Sequence, residues 1–212
     1  LPPAPILERA GATHDGSHDD GHRASAKNQE NIMSRIPAID LASATGSVKT
    51  LLDGVHKGLG ATPNLFRVAA QAPSVLEGVV GLFGAVSKGK LGARVRESIA
   101  LTVSEIDACD YCLSAHTALG KGAGLTDEAM SSARRAEAED PRVAATLRFA
   151  RVVTEKRGHA TEGEVAAARR AGLTDADLLE VVANVALTTF TNYLNEVAGT
   201  EIDFPVVTHH AR

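Results

Sequence analysis

The sequence predicts an all-α fold, and three observations carry that prediction. Apolar residues recur at helical spacing: Val48, Leu51, Leu52, Val55 and Leu59 trace the i, i+3, i+4, i+7 pattern of one buried face. Start and stop signals punctuate the chain, with Pro73, Thr126, Pro141, Thr161 and Thr174 placed to open helices and glycines placed to close them. No alternating strand pattern of useful length occurs, and only Ile202 to Val207 reads as a short extended tail.

The elements follow in order. Thr62-Pro63-Asn64 breaks the first helix, and a short one runs from about Leu65 to Ala72. Pro73 fits the first turn of a third, which carries Val75, Leu76, Val79, Val80, Leu82, Phe83 and Val86. Gly89 to Gly92 is a turn, and Arg94 to about Val103 is helical. A helix bearing Cys109 and Cys112 follows and ends near Gly120–Gly124. Thr126 caps a helix to about Ala136, with Asp127 and Glu128 set against its positive dipole end. Pro141 opens another that Gly158 ends. Thr161 and Thr174 begin the last two, the final one reaching roughly Gly199. That last helix carries Leu178, Leu179, Val181, Val182, Val185, Ala186, Leu187 and Phe190, too many apolar positions for one face. It is expected to be buried on several sides or used at an interface.

The five residues Ala123-Gly124-Leu125-Thr126-Asp127 recur as Ala171-Gly172-Leu173-Thr174-Asp175. The repeat marks either a duplicated helical unit or the same good turn and cap used twice. Residues 1–32 differ from the rest, being rich in Pro, Asp, Gly, His and Ser with little to bury. They read as a disordered leader or expression-derived extension, since Met33 resembles a translation start. His14, His18 and His22 recur every four residues, but the intervening glycines and aspartates argue against a stable helix and for a leader without a specific metal site. Residues 33–212 are then expected to form a single all-α domain.

Composition excludes several classes of function. Aromatics are only 3% of the 212 residues and Trp is absent, so the core rests on Ala, Val and Leu. The net charge is -4, and Arg134-Arg135 and Arg169-Arg170 are interleaved with acids, so no nucleic-acid footprint is expected. No apolar run approaches the ~18 residues that span a bilayer, and no secretory signal is visible. Two cysteines are too few for a disulfide scaffold, and a close cycling pair suits a reducing cytoplasm. No glycine-rich nucleotide loop occurs, and no cofactor or metal is expected.

The chemistry concentrates in Cys109-Asp110-Tyr111-Cys112-Leu113-Ser114-Ala115-His116, which holds the only two cysteines of the chain. Cys109, Cys112 and His116 sit at i, i+3 and i+7, so a helix presents them on one face. Ser104 and Asp107 are both good N-cap residues. A cap at Asp107 would put Cys109 in the first turn, where backbone N–H groups favour a thiolate. Lowering a thiol pKa by about two units makes it mostly ionised at neutral pH, for about 2.7 kcal/mol of differential stabilisation. On this dipole argument Cys109 is the more ionised thiol. Cβ atoms at i and i+3 of a helix lie about 5–6 Å apart, beyond the ~3.8 Å a disulfide prefers, so a strained, easily reduced bond is expected.

Glu97 lies twelve residues before Cys109. On one continuous helix the two would be about 18 Å apart. A chain reversal near Ser104–Asp107 instead lets Glu97 face His116, where a carboxylate fixes the imidazole tautomer and raises its basicity. The histidine then removes the thiol proton and later protonates the leaving group when a peroxide O–O bond breaks.

Glu97, eleven residues, Cys109-Asp110-Tyr111-Cys112, three residues and His116 together resemble the signature of the alkylhydroperoxidase D family, within the carboxymuconolactone decarboxylase-like superfamily. The similarity is strongest over residues 94–124. The segment from Asn192 to Pro205 also resembles the C-terminal region of its peroxidase-related branch. The resemblance implies a homo-oligomeric helical bundle, a trimer or hexamer. It implies Cys112 as the peroxidatic cysteine, Cys109 as the resolving one, and Glu97 with His116 as a proton relay. The family often has a histidine before the second cysteine. Tyr111 stands there in this chain, and tyrosine is a poor base at neutral pH. The implied activity is a thiol-dependent peroxidase acting on hydroperoxides, with an external dithiol, lipoyl or thioredoxin-like, as reductant.

Other readings stand beside it. The cysteines read alternatively as buried core residues, as two zinc ligands with His116 and Glu97, or as a redox sensor or protein-disulfide-reductase partner with little turnover. The lactone or decarboxylase chemistry of the wider superfamily needs no dithiol. Asn192 and Asn195, one helical turn apart, line either the pocket or a buried contact, and His209 and His210 fall in the tail with surface roles.

Overall fold

A computed structural model describes residues 34–210. Residues 1–33, with His14, His18 and His22, lie outside the described residues. Among them there are nine α-helices and no strand: α1 (Gly46–Leu59), α2 (Asn64–Ala69), α3 (Pro73–Val86), α4 (Ala93–Ile106), α5 (Asp110–Gly122), α6 (Asp127–Arg134), α7 (Pro141–Glu155), α8 (Glu162–Arg170) and α9 (Asp175–Ala198). The fold is all-α, as the periodicity predicts.

The local signals explain the boundaries. Pro73 occupies the first turn of α3 and Pro141 that of α7, where the Asp140 side chain accepts from the N–H groups of Arg142 and Val143. Thr161 with Glu164 and Thr174 with Asp177 form reciprocal capping boxes. The repeated Ala-Gly-Leu-Thr-Asp segment is the same device twice: Gly124 and Gly172 adopt φ of 85° and 92°, and the following threonine caps a helix. The helices it opens, α6 and α9, are 8 and 24 residues long, so the shared sequence encodes a turn and cap.

Two main apolar cores fill the bundle, and a third, smaller cluster lies at the cysteines. α4 buries seven consecutive residues, Ser98–Ser104, so it is covered on every side. Ile99, Leu101 and Val103 join Leu113, Leu147, Phe149 and Val181 in the larger core, and burying each such side chain contributes about 1.5–3 kcal/mol. The interior polar groups of α4 are satisfied: Thr102 Oγ1 donates to Ala133 O at 2.6 Å and Ser104 Oγ to Asn192 Oδ1 at 3.2 Å. The smaller core unites α1, α2 and α3 through Leu52, Val55, Phe66, Leu76 and Val79, and Leu194 of α9 packs on it. α9 thus touches both cores, which accounts for its surplus of apolar positions. Leu179, Val182, Phe190, Tyr193 and Val197 remain on its outer side, between 39% and 70% exposed.

Beyond α9 the chain runs back across the bundle as an extended strap, residues 200–210, with no ladder partner. Val207 N donates to Ser114 Oγ, and Arg134 Nη2 donates to Thr208 O. His209 and His210 lie toward the surface, as expected, and also tie this strap down: His209 bonds Asp110 Oδ1 through its backbone N and Nδ1, and His210 bonds Glu105 Oε1 in the same way.

Candidate active site

The site forms where α4 turns into α5. Cys109 N donates to Ser104 O at 3.0 Å and Ala108 N to Glu105 O at 3.3 Å, with Ala108 at φ 56°. This pair of bonds, closed by a left-handed residue, ends α4 and reverses the chain. Asp107 is consequently the C-cap of α4, and the N-cap of α5 is Cys109 itself. A cap at Asp107 is therefore corrected by two residues. The reason is that the sulfur of Cys109 takes the capping role, accepting from Cys112 N at 3.3 Å.

This shift changes the sulfur geometry. Cys109 has an extended backbone, φ -93° and ψ 98°, so the Cβ separation of two helical residues does not apply. Its Sγ lies 2.6 Å from that of Cys112, to which it donates its thiol hydrogen. Both cysteines are free thiols, 0% and 2% exposed. The bond to Cys112, and then burial, push the Cys109 thiol well above its usual range. The first-turn placement therefore does not ease ionisation of Cys109, whose contact with Cys112 and burial both oppose it.

The reversal also lays α5 against α4. Glu97 Oε2 sits 2.8 Å from His116 Nδ1, with the two side chains 15% and 18% exposed. That contact leaves Nε2 as the histidine nitrogen available for proton transfer. His116 lies one turn after Cys112 on α5 and lines a cavity of about 670 Å³. The cavity walls are mostly apolar, including Leu59, Phe66, Phe83, Leu119, Leu187 and Phe204. Leu65, Tyr111, Ala115 and Phe204 face both this cavity and the cysteine pair, so one layer of side chains separates the space from the sulfurs.

Tyr111 is held by three elements. Its hydroxyl donates to Asp203 Oδ1 at 2.9 Å and accepts from Leu65 N at 3.0 Å, while Asp203 Oδ2 accepts from Asn64 N. Tyr111 and Asp203 together satisfy the first N–H groups of α2. Phe204 meets the Tyr111 ring edge-to-face at 5.8 Å. Burial and the Asp203 charge push the phenol above its usual range, so it stays protonated. The hydroxyl is therefore committed to the strap and α2.

Two further residues complete the surroundings. Asn195 Nδ2 donates to Cys112 Sγ at 3.3 Å, and Asn192 Nδ2 donates to Asp107 Oδ2 at 2.8 Å. The one-turn spacing of Asn192 and Asn195 and the resemblance of the segment from Asn192 to Pro205 are the sequence signals for this, and they leave the pocket and a buried contact both open. Asp203 carried no local signal, being 92 residues from Tyr111 in the chain. The four residues of the alternative zinc set are engaged with one another in two pairs. Among the described residues no three His, Cys, Asp or Glu side chains converge as a metal site.

A buried dithiol at the N-terminus of one helix, flanked by a histidine–carboxylate pair in an all-helical bundle, defines a class of helical dithiol protein. Residues 73–156 match the model of the carboxymuconolactone decarboxylase family. A solved structure from Ralstonia eutropha JMP134, described as an alkylhydroperoxidase AhpD core and an uncharacterized peroxidase-related protein, is similar at 25% identity and TM-score 0.73. The likeness covers 80% of this chain and 92% of that one. A peroxidase-related protein from Silicibacter sp. TM1040 shares the fold at 22% identity and TM-score 0.69, over 81% and 94% of the two chains. So does the debrominase Bmp8, solved as a variant with 2,3,4-tribromopyrrole, at 19% identity and TM-score 0.69, over 81% and 93%. No curated protein matches the chain in sequence. The matched segment and this shared fold are consistent with an alkylhydroperoxidase D-like, carboxymuconolactone decarboxylase-like protein.

Proposed function

We propose that this protein is a thiol-dependent peroxidase that reduces organic hydroperoxides through Cys112 and Cys109. The observation that carries the reading is the 2.6 Å approach of the two sulfurs one helical turn from the His116–Glu97 pair. The Cys112 thiolate attacks the terminal oxygen of the hydroperoxide. An S–O bond forms, the O–O bond breaks, and the alkoxide takes a proton from His116, leaving an alcohol and a Cys112 sulfenic acid. Glu97 holds the imidazole in place through Nδ1. Cys109 then attacks the sulfenic sulfur. The S–S bond forms, the S–O bond breaks, and the hydroxide leaves with the Cys109 proton as water. An external dithiol, lipoyl or thioredoxin-like, returns both thiols.

Tyr111 serves as a positioning residue in this reading, since its hydroxyl pins the strap over the sulfurs. The apolar cavity suits a substrate with a carbon skeleton. The exposed apolar side of α9 suits a homo-oligomer, which sedimentation of the purified protein would size. The deciding experiment follows hydroperoxide loss with dihydrolipoamide as reductant. Cys112→Ser is expected to abolish turnover, and full activity in that variant would discard the assignment.

A second reading, a redox sensor with little turnover, draws support from the burial of both sulfurs beneath Leu65, Ile202 and Phe204. Clean thiol-to-disulfide conversion with slow peroxide consumption would favour it.

A further inference from the structure

Asn195 is 2% exposed, yet only half of its carboxamide is satisfied. Nδ2 donates to Cys112 Sγ, while the buried Oδ1 has no hydrogen-bond partner. A buried amide oxygen left unpaired is a cost that native cores avoid. Its placement is not accidental packing. Asn192, one turn earlier on α9 and 0% exposed, accepts from Ser104 Oγ and donates to Asp107. Both partners belong to the α4–α5 junction that sets Cys109. Asn192 therefore fixes the rotation of α9 against that junction and brings Asn195 to the sulfur.

Cys112 Sγ receives two donors, the Cys109 thiol and the Asn195 amide. A sulfur surrounded by donors is suited to negative charge. The titratable groups around the pair include Asp107 and Asp110 beside Cys109, Tyr111 and His116 on α5, Glu97 on α4, Glu196 on α9 and Asp203 on the strap. Among them only His116 can bring positive charge.

We propose that Asn195 is a catalytic residue of this site, its Nδ2–H holding the Cys112 thiolate and its unpaired Oδ1 accepting the O–H of the Cys112 sulfenic acid. The second half rests on the peroxidase reading; the first does not. In the sulfenic acid the sulfur has gained oxygen and lost two electrons to the hydroperoxide, and the new hydroxyl needs a buried acceptor. Oδ1 is that acceptor, and it keeps the intermediate oriented until Cys109 displaces the hydroxyl as water.

The test uses the Cys109→Ser protein, in which Cys112 is the sole cysteine, with and without Asn195→Leu or Asn195→Asp. Thiolate ultraviolet absorbance is followed against pH, after subtraction of the cysteine-free protein. Asn195→Leu is expected to leave about tenfold less thiolate near neutral pH. Asn195→Asp, which adds a negative charge, is expected to lower it further. An unchanged titration in either variant overturns the thiolate half, and Asn195→Asp, close in shape to asparagine, decides if the leucine variant does not fold. One equivalent of cumene hydroperoxide followed by dimedone then reports the sulfenic acid, expected to persist for a several-fold shorter time in Asn195→Leu. An equal lifetime overturns the second half. Should the parent form no sulfenic acid at all, the peroxidase reading fails, while the absorbance titration still decides whether Asn195 holds the thiolate.

Discussion

His116 Nδ1 and Glu97 Oε2 lie 2.8 Å apart, joining α5 to α4 across a chain reversal of nineteen residues. The carboxylate orients the ring through Nδ1, so removing its charge loosens the placement of the imidazole for proton transfer. Glu97→Gln keeps the shape and the hydrogen-bonding reach. It is expected to lower kcat/KM for an organic hydroperoxide about 10–100-fold with little change in thermal midpoint, as steady-state kinetics and circular dichroism would show.

Cys109→Ser separates chemistry from folding. Serine is a favoured N-cap, so α5 keeps its cap and the protein is expected to remain folded. The variant is expected to consume one equivalent of hydroperoxide and stop at a Cys112 sulfenic acid trapped by dimedone. Sustained turnover with a dithiol would remove Cys109 from the resolving role.

Tyr111→Phe unpairs Leu65 N and one oxygen of Asp203 at once. The expected loss is about 1–3 kcal/mol of stability, read from urea denaturation. Because the phenol stays protonated and tied to the strap, kcat is expected to fall much less than in Cys112→Ser.

Ala108 holds a left-handed backbone, φ 56°, between the two helices of the site. That conformation costs an L-residue about 1–2 kcal/mol, partly offset by the greater chain entropy of glycine when unfolded. Ala108→Gly is therefore expected to raise stability by up to about 1 kcal/mol, as a shift in denaturation midpoint at constant slope.

Acid should loosen the strap. Burial acts to raise the Glu105 pKa, but hydrogen bonds from His210 N, Arg134 and the His210 ring outweigh it and hold the carboxyl below its ordinary value of 4.5. A depressed folded pKa means that stability is present above the unfolded value and is lost as pH falls through the folded one. Urea midpoints are expected to drop below about pH 4, and Glu105→Gln to flatten that acid limb. Equal acid slopes for both proteins would show that Glu105 does not couple the strap to pH.

The sequence by itself determined the helices, because capping and apolar periodicity act over a few residues: Pro73, Thr126, Pro141, Thr161 and Thr174 start helices where they are read to start. Spacing within one segment also made it legible that Cys112 and His116 lie about one turn apart on one helix, with Cys109 at its start. What joins distant segments was decided only by the tertiary structure. Asn195 reaches Cys112 from 83 residues away, and Asp203 reaches Tyr111 from 92. No local pattern encodes such contacts, since they depend on how α9 and the strap pack over α5. The surroundings of the sulfurs were decided in the same way. Dipole reasoning on a lone helix favoured Cys109 as the thiolate, but packing moved the cap onto that very residue and made it a buried donor to its partner.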